Sequence, residues 1–98
     1  MELEGRKVCQ EKLYSIGYIP KLNKYVLECV VPWIVWYNRY YEISEIEYHS
    51  FESAPDKLNE LADYLHKKSY NSDRFLFSER DEENSESQSK LRAEITAE

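Results

Sequence analysis

The feature that most constrains this fold is a run of β-branched and aromatic residues over residues 24–48. Such residues fit the pleated, half-buried surface of a sheet and are enriched in strands. Pro32 has no N–H to donate to a ladder, so it predicts a strand end, an edge or a bulge. Asn38-Arg39 predicts a tight turn between strands 33–37 and 40–48, although it lacks the glycine of the commonest hairpins. A long helix kinked at Pro32 is the competing interpretation.

The first part of the chain predicts a helix. Cys9, Leu13 and Ile16 recur at the spacing of one helical face. The acids at positions 2 and 4 suit the positive end of a helix dipole. Gly17 follows where a left-handed C-cap is usual. We therefore expect an N-terminal helix over residues 2–16.

The clearest helix prediction covers residues 54–68. Ser53 suits the N-cap, and Pro55 has the fixed φ that the first turn of a helix tolerates. Apolar residues then recur at i, i+3, i+4 and i+7, and two lysines suit the negative C-terminal end. These apolar residues are Leu58, Leu61, Ala62 and Leu65.

Residues 79–98 are strongly polar, and their composition alone is typical of a disordered tail. Ser85 and Gln88, however, have the spacing of a capping box, and two apolar residues follow one turn apart. This pattern predicts a C-terminal helix from about 85 to 96. Between it and the central helix, residues 74–78 predict a short strand.

The order of these elements indicates an α+β fold, a small and mainly antiparallel sheet of three to four strands with its helices gathered on one face. The helices are the N-terminal one, the central one at about 54–68 and the C-terminal one. Ninety-eight residues suit one hydrophobic core. We expect residues 1–78 to form a single compact domain and residues 79–98 to form an acidic, helical C-terminal segment.

Charge is distributed unevenly along the chain. Residues 1–41 contain four acids and six bases, whereas residues 42–98 contain fifteen acids and seven bases, and the whole chain has a net charge of −6. A negative field repels phosphate backbones, so we expect no direct binding of nucleic acid. The same field would attract a basic protein surface. The alternative is that the acidity serves only solubility.

Nothing in the sequence predicts membrane insertion or secretion. The longest apolar stretch, residues 25–37, contains Glu28 and Pro32 and is too short to span a bilayer. The first twelve residues are charged and lack the apolar centre of a signal peptide. Cys9 and Cys29 could form one bridge, but two cysteines alone do not indicate a disulfide framework. We expect a cytoplasmic protein, of a cell or of an infected host cell, that does not bind membranes.

No catalytic, cofactor-binding or metal-binding motif is present in the sequence. Neither His49 nor His66 belongs to a known catalytic motif, and two glycines are too few for a phosphate-binding loop. The spacing of these histidines with Cys9 and Cys29 matches no structural zinc site, so the cysteines are better explained as small core residues. We expect no enzymatic activity, cofactor or metal. A small enzyme using His49 with a nearby carboxylate is the weaker alternative.

Two groups of residues remain as candidate contacts for a protein partner. The first group is aromatic. Strand geometry would place its members on both faces of the sheet. The helices are expected to cover one face, so the aromatic residues on the other face would be free to contact a partner. Alternatively, the C-terminal helix or a second copy of the chain covers that face. The second group is a series of acids that imitates a phosphate backbone or forms an ordinary solvated surface. The predicted partner-binding residues are Trp33, Trp36, Tyr37, Tyr40, Tyr41, Glu45, Glu47, Asp56, Glu60 and Asp63.

Together these observations predict a non-enzymatic, acidic protein-binding module. The specific hypothesis is an inhibitor, an immunity-type protein or a nucleic-acid-mimicking antagonist of a basic, nucleic-acid-processing protein. The alternative is a homodimeric structural or assembly protein of a phage, virus or bacterium, whose acidity only confers solubility.

Overall fold

The computed structural model describes residues 1–97 as an α+β domain, which confirms the predicted class. Five strands, and not three to four, form one antiparallel sheet in which each strand pairs with its neighbours in sequence. The strands are β1 (Glu4–Cys9), β2 (Tyr14–Ile19), β3 (Lys24–Val31), β4 (Tyr37–Ile43) and β5 (Phe75–Ser78). The helices are α1 (Glu45–Ser53), α2 (Pro55–Lys68) and α3 (Glu86–Thr96), with short 3-10 turns at Ser69–Asn71 and Asp81–Glu83.

The N-terminal helix predicted over residues 2–16 is wrong, because this segment forms β1, a turn and the start of β2. Leu13 lies in the turn with a φ of 55°, while Ile16 faces the core of the sheet and is fully buried. Gly17 lies inside β2, where a Cβ would come within 2.6 Å of the Cβ of Leu3. It allows close packing and does not end a helix.

Strands within residues 24–48 are confirmed as β3 and β4, but the strand predicted over residues 33–37 is wrong, because residues 32–36 form a loop. The predicted turn at Asn38-Arg39 lies inside β4, where these two residues pair with Val30 and Cys29. The two strands are joined instead by a five-residue loop, residues 32–36.

The strand predicted over residues 40–48 ends at Ile43, and α1 follows it. Ser44 and Glu47 form a capping box in which each side chain accepts a hydrogen bond from the other residue's backbone N–H. This local cap favours the helix over continuation of the strand.

The three other predicted elements are confirmed. Helix 54–68 is α2, although its N-cap is Ala54 and not Ser53. The short strand is β5. The C-terminal helix is α3, and Ser85 and Gln88 form its capping box. The predicted boundary between residues 1–78 and 79–98 stays a prediction.

Apolar side chains cover both faces of the sheet, so the expectation that all helices lie on one face is wrong. α1 and α2 cover one face, and α3 covers the other. The buried strand residues of the first face are Tyr14, Ile16, Leu27, Cys29, Tyr41, Ile43 and Phe75. Those of the second face are Ile19, Val26, Tyr40 and Phe77, packed against Leu3 and Ile95.

None of the helices formed by residues 1–97 has the length and apolarity that crossing a bilayer requires. The predicted cytoplasmic location stays a prediction.

Candidate functional site, an exposed tryptophan loop

The loop between β3 and β4, residues 32–36, is a continuous apolar surface with the sequence Pro-Trp-Ile-Val-Trp. Trp33, Ile34, Val35 and Trp36 are 50, 86, 72 and 61% exposed. Exposed apolar residues are ordinary when they stand singly, whereas a contiguous patch marks a site of interaction. We call residues 32–36 the tryptophan loop and take it as the candidate site.

The strands on either side define the ends of the loop. Val31 and Tyr37 form the last register pair of β3 and β4, and Pro32 follows with no N–H to continue the ladder. Within residues 1–97, no hydrogen bond involves the backbone of residues 33–36. These peptide groups therefore need water or the polar groups of a partner.

The segment after β5 holds the loop at its base. The Glu79 backbone N–H donates to the Asn38 carbonyl at 3.0 Å, and the Asn38 N–H donates to the Glu79 carboxylate at 2.7 Å. The Arg80 guanidinium carbon lies 3.9 Å from the ring centroid of Trp33, within the range of a cation–π contact. Tyr37 meets the same ring edge-on with a centroid distance of 6.3 Å. These two contacts restrict the Trp33 ring before any partner binds.

A buried ion pair lies beneath the base of the loop. Arg39 donates from Nε and Nη2 to the two carboxylate oxygens of Glu83 at 2.9 and 2.7 Å. The Tyr37 hydroxyl donates to the same carboxylate at 2.7 Å. Burial alone would raise the pKa of Glu83, but the hydrogen bonds from Arg39 and Tyr37 outweigh it and lower the pKa to about 2. Glu83 is therefore ionised at neutral pH and completes a rigid support.

A cavity of about 160 Å³ opens beside the loop. Its apolar wall is shared by the turn before β2, the end of β3, the start of the loop and α2. Polar groups from the same turn and from α2 line its other side. The apolar members are Leu13, Cys29, Val30, Pro32 and Ala62, and the polar ones are Lys12, Asp63 and His66.

Cys29 and His66 meet in this cavity, with 3.4 Å between Sγ and Nδ1. Burial raises the pKa of the Cys29 thiol to about 11, so the thiol stays protonated at neutral pH. A protonated thiol is a poor nucleophile, and the contact is that of a weak hydrogen bond. The pair therefore has the chemistry of a structural contact.

The predicted aromatic contacts divide into exposed and buried residues. Trp33 and Trp36 lie in the tryptophan loop, and Tyr37 is half-buried at its base. Tyr40 and Tyr41 are 0% exposed, because α3 covers the first and α2 covers the second. These two tyrosines are core residues and present no surface to a partner. Of the predicted strip, only the residues at the end of the hairpin remain accessible.

The predicted acidic contacts are not equally free. Glu47 accepts hydrogen bonds from Arg74 at 2.7 and 3.0 Å, and Asp63 lies 3.5 Å from Lys12. Glu45, Asp56 and Glu60 are exposed and form no ion pair within the described chain. Eight ion pairs are present among residues 1–97, namely Arg6–Glu28, Lys7–Glu52, Lys12–Asp63, Lys24–Glu42, Arg39–Glu83, Arg74–Glu47, Arg80–Glu82 and Lys90–Glu86.

The remaining candidate ligands lie apart. His49 is exposed on α1, where its ring meets Tyr48 edge-on with a centroid distance of 5.2 Å. Cys9 is a free thiol on β1, 3.8 Å from the Asn59 side chain. Within residues 1–97, no three His, Cys, Asp or Glu side chains are placed to hold a metal ion.

Sequence reasoning missed Ile34, Val35 and Arg80 as members of the site. The signal was the unbroken apolar run around Pro32, which predicts a strand by composition but has no polar residue to mark a loop. Comparisons with models of protein families, with curated proteins and with solved structures give no match to this chain.

Proposed function

We propose that this chain is a non-enzymatic protein-binding module whose contact element is the tryptophan loop. The supporting observation is the exposure of four consecutive large apolar side chains, Trp33 to Trp36, at the end of a hairpin. Removing apolar surface from water yields about 25 cal/mol per Å². Tryptophan is enriched among the residues that dominate protein interfaces.

The support beneath the loop lowers the cost of binding. Association must order flexible side chains, at about 0.5–1.5 kcal/mol for each one that is immobilised. Trp33 is already held between Arg80 and Tyr37, and the hairpin base is fixed by the bonds between Asn38 and Glu79. Trp33 and the base of the loop are therefore preorganised for docking.

A protein suits this loop better than a bilayer does. Among residues 1–97, the peptide groups of residues 33–36 find no hydrogen-bond partner, and each unsatisfied group costs several kcal/mol in hydrocarbon. A protein surface offers polar partners to these groups. The net charge of −6 also opposes approach to anionic lipids.

The narrower function, antagonism of a basic nucleic-acid-processing protein, stays a prediction. Its contacts would be the exposed carboxylates of Glu45, Asp56 and Glu60, since the other two predicted acids already belong to ion pairs. A surface that imitates phosphates requires free charges in a row. Geometry therefore supports the apolar loop more strongly than the acidic series.

Site-specific photocrosslinking in living cells tests the proposal. A photoreactive phenylalanine analogue replaces Ile34, which is 86% exposed in the loop, and in a matched control it replaces Ile46, which is 82% exposed on α1. We expect protein adducts from position 34 that are absent from position 46. Trp36→Ser in the same chain should remove them, because an interface tryptophan contributes about 2 kcal/mol or more, about 30-fold in affinity.

The adduct must then be reproduced with purified components. Support requires that the captured protein binds the purified chain and that Trp36→Ser weakens this binding while Ile46→Ser does not. Equal adducts from both positions would contradict the proposal. The proposal would also be contradicted if no protein adducts form and the loop instead mediates binding to vesicles of zwitterionic lipid.

A further inference from the structure

We propose that the partner of the tryptophan loop is a second copy of this chain, with each copy inserting its loop into the cavity of the other. The inference deepens the proposed function and rests on it. It follows from three properties of this end of the sheet, which are the cavity beside the loop, the two-fold relation that this placement permits, and the local balance of charge.

The first property is the fit between loop and cavity. The cavity has a volume of about 160 Å³ and an apolar wall that includes Leu13, Val30 and Pro32. An apolar cavity of about 150 Å³ in a protein core accommodates benzene. The branched side chain of Ile34 or Val35, the two most exposed residues of the loop, is of a size that this space can hold.

The second property is that loop and cavity are neighbours. Pro32 belongs to both, and the Val30 N–H donates to the Leu13 carbonyl at 2.9 Å, which fixes the cavity wall next to the hairpin. A two-fold contact pairs the same patch of two subunits. A rotation that places one loop in the opposite cavity therefore places the second loop in the first cavity at the same time.

The third property is the neutralisation of charge around the loop. The net charge of −6 opposes association of two copies, but most of the charged side chains at the base of the loop and around the cavity are paired among residues 1–97 of one copy, Glu79 being the exception. A second copy that approaches the loop therefore meets little local electrostatic repulsion. A strongly basic partner would gain little electrostatic attraction at the same place. The pairs are Lys12–Asp63, Arg39–Glu83 and Arg80–Glu82.

The small size of the patch favours a weak contact. An interface of standard size buries about 800 Å² on each partner. Two tryptophans that are 50 and 61% exposed, with Ile34 and Val35, offer on the order of 400 Å² per copy. The contact is therefore smaller than that of an obligate dimer, and we expect a dissociation constant in the micromolar range, about 1–100 μM.

Sedimentation velocity of the purified full chain from about 1 μM to about 1 mM measures this equilibrium. We expect a concentration-dependent shift from monomer to dimer. Val35→Asp in the loop and Leu13→Asp in the cavity should each raise the dissociation constant at least about tenfold, since each places a charge in an apolar contact. Aspartate tolerates the left-handed backbone of Leu13, whose φ is 55°, so this variant is expected to fold. Ile46→Ser is the control that should leave the equilibrium unchanged.

Mixing the two variants tests reciprocal insertion specifically. A mixed dimer of the Val35→Asp and Leu13→Asp chains contains one intact loop facing one intact cavity, whereas either variant alone contains no such pair. The mixture should therefore dimerise more strongly than either variant by itself. Circular dichroism of each variant verifies that it is folded.

The possible outcomes separate this inference from the proposed function. The inference that the partner is a second copy is wrong if the chain stays monomeric at every concentration. It is also wrong if the chain dimerises but Val35→Asp does not weaken the dimer. If position 34 still crosslinks to a different protein in cells, the protein-binding function stands without it. If neither association nor crosslinking is found, both proposals are wrong. A mixture that dimerises no better than its components overturns the reciprocal arrangement.

Discussion

Arg39 and Glu83 join the strand that follows the tryptophan loop to the 3-10 turn that follows β5. Their side chains are 10 and 5% exposed, so neither charge is well solvated once the other is removed. Arg39 also lies 5.7 and 5.9 Å from the ring centroids of Tyr37 and Tyr70. One guanidinium thus contacts three elements, which explains an arginine in the middle of β4 that composition alone places on the surface.

Glu83→Gln should destabilise the fold by about 3 kcal/mol, because breaking one partner of a buried ion pair leaves the other charge uncompensated. Glu82→Gln is the matched control, since Glu82 is the adjacent residue and its side chain is 76% exposed. A surface pair contributes about 0–1 kcal/mol. Urea denaturation of the three proteins measures the free energy of unfolding. Equal losses for the two variants would contradict the burial argument.

Acid should reduce the difference in unfolding free energy between the wild-type protein and Glu83→Gln. The pKa of Glu83 falls from an ordinary 4.5 to about 2 in the fold. A lowered pKa means that the unfolded chain takes up the proton first, so the stabilisation is complete above pH 4.5 and is lost as the pH falls towards 2. Denaturation curves recorded across this range should therefore converge. A difference that stays constant would show that the ionised form is not what stabilises the fold.

At the scale of elements, the sequence predicts what local signals determine. α2 begins with Pro55 in its first turn and α3 begins with a capping box, and the apolar spacing that follows lies within a few turns, so both helices were predictable. β1 and β2 were not, because the spacing of Cys9, Leu13 and Ile16 fits a helix equally well. The competing factor is pairing with β3, which depends on residues far along the chain.

The candidate site was predictable in part for the same reason. Trp33 and Trp36 were identified from their residue type, but their position required the strand register. With Val31 opposite Tyr37, residues 32–36 must form a loop. The same register places Tyr40 and Tyr41 on opposite faces of the sheet, where both are buried. Glu28 shows a similar limit, since its burial depends on hydrogen bonds from Arg6 and Tyr40 at 2.6 Å each.

The cap of α3 offers a test at this scale. Ser85→Ala removes the side-chain acceptor for the Gln88 N–H and should cost about 1 kcal/mol. Faster hydrogen exchange in α3 and in the region of Phe77 should accompany the loss, because Ile95 of α3 covers that residue. Ser53→Ala is the control, since Ser53 resembles an N-cap in sequence but Ala54 occupies that position. An equal effect of both variants would exclude capping as the cause.

At the scale of the whole molecule, net charge and the apolar loop act in opposite directions. Long-range repulsion between two copies of charge −6 opposes self-association, whereas the same charge favours the approach of a basic partner. The range of both effects is set by the ionic strength, since the Debye length falls from about 30 Å at 0.01 M salt to about 3 Å at 1 M. Contact between apolar side chains persists when charges are screened.

Salt therefore distinguishes the two kinds of partner. We expect self-association of the purified chain to strengthen between about 0.01 and 1 M sodium chloride, because screening removes the repulsion and leaves the loop–cavity contact intact. A complex that depends on the acidic residues Glu45, Asp56 and Glu60 should instead weaken over this range. Sedimentation velocity at each salt concentration measures the first effect, with the Val35→Asp chain as the control that should dimerise at least about tenfold more weakly. Self-association that weakens with salt would mean that opposite charges, and not the tryptophan loop, hold the two copies together.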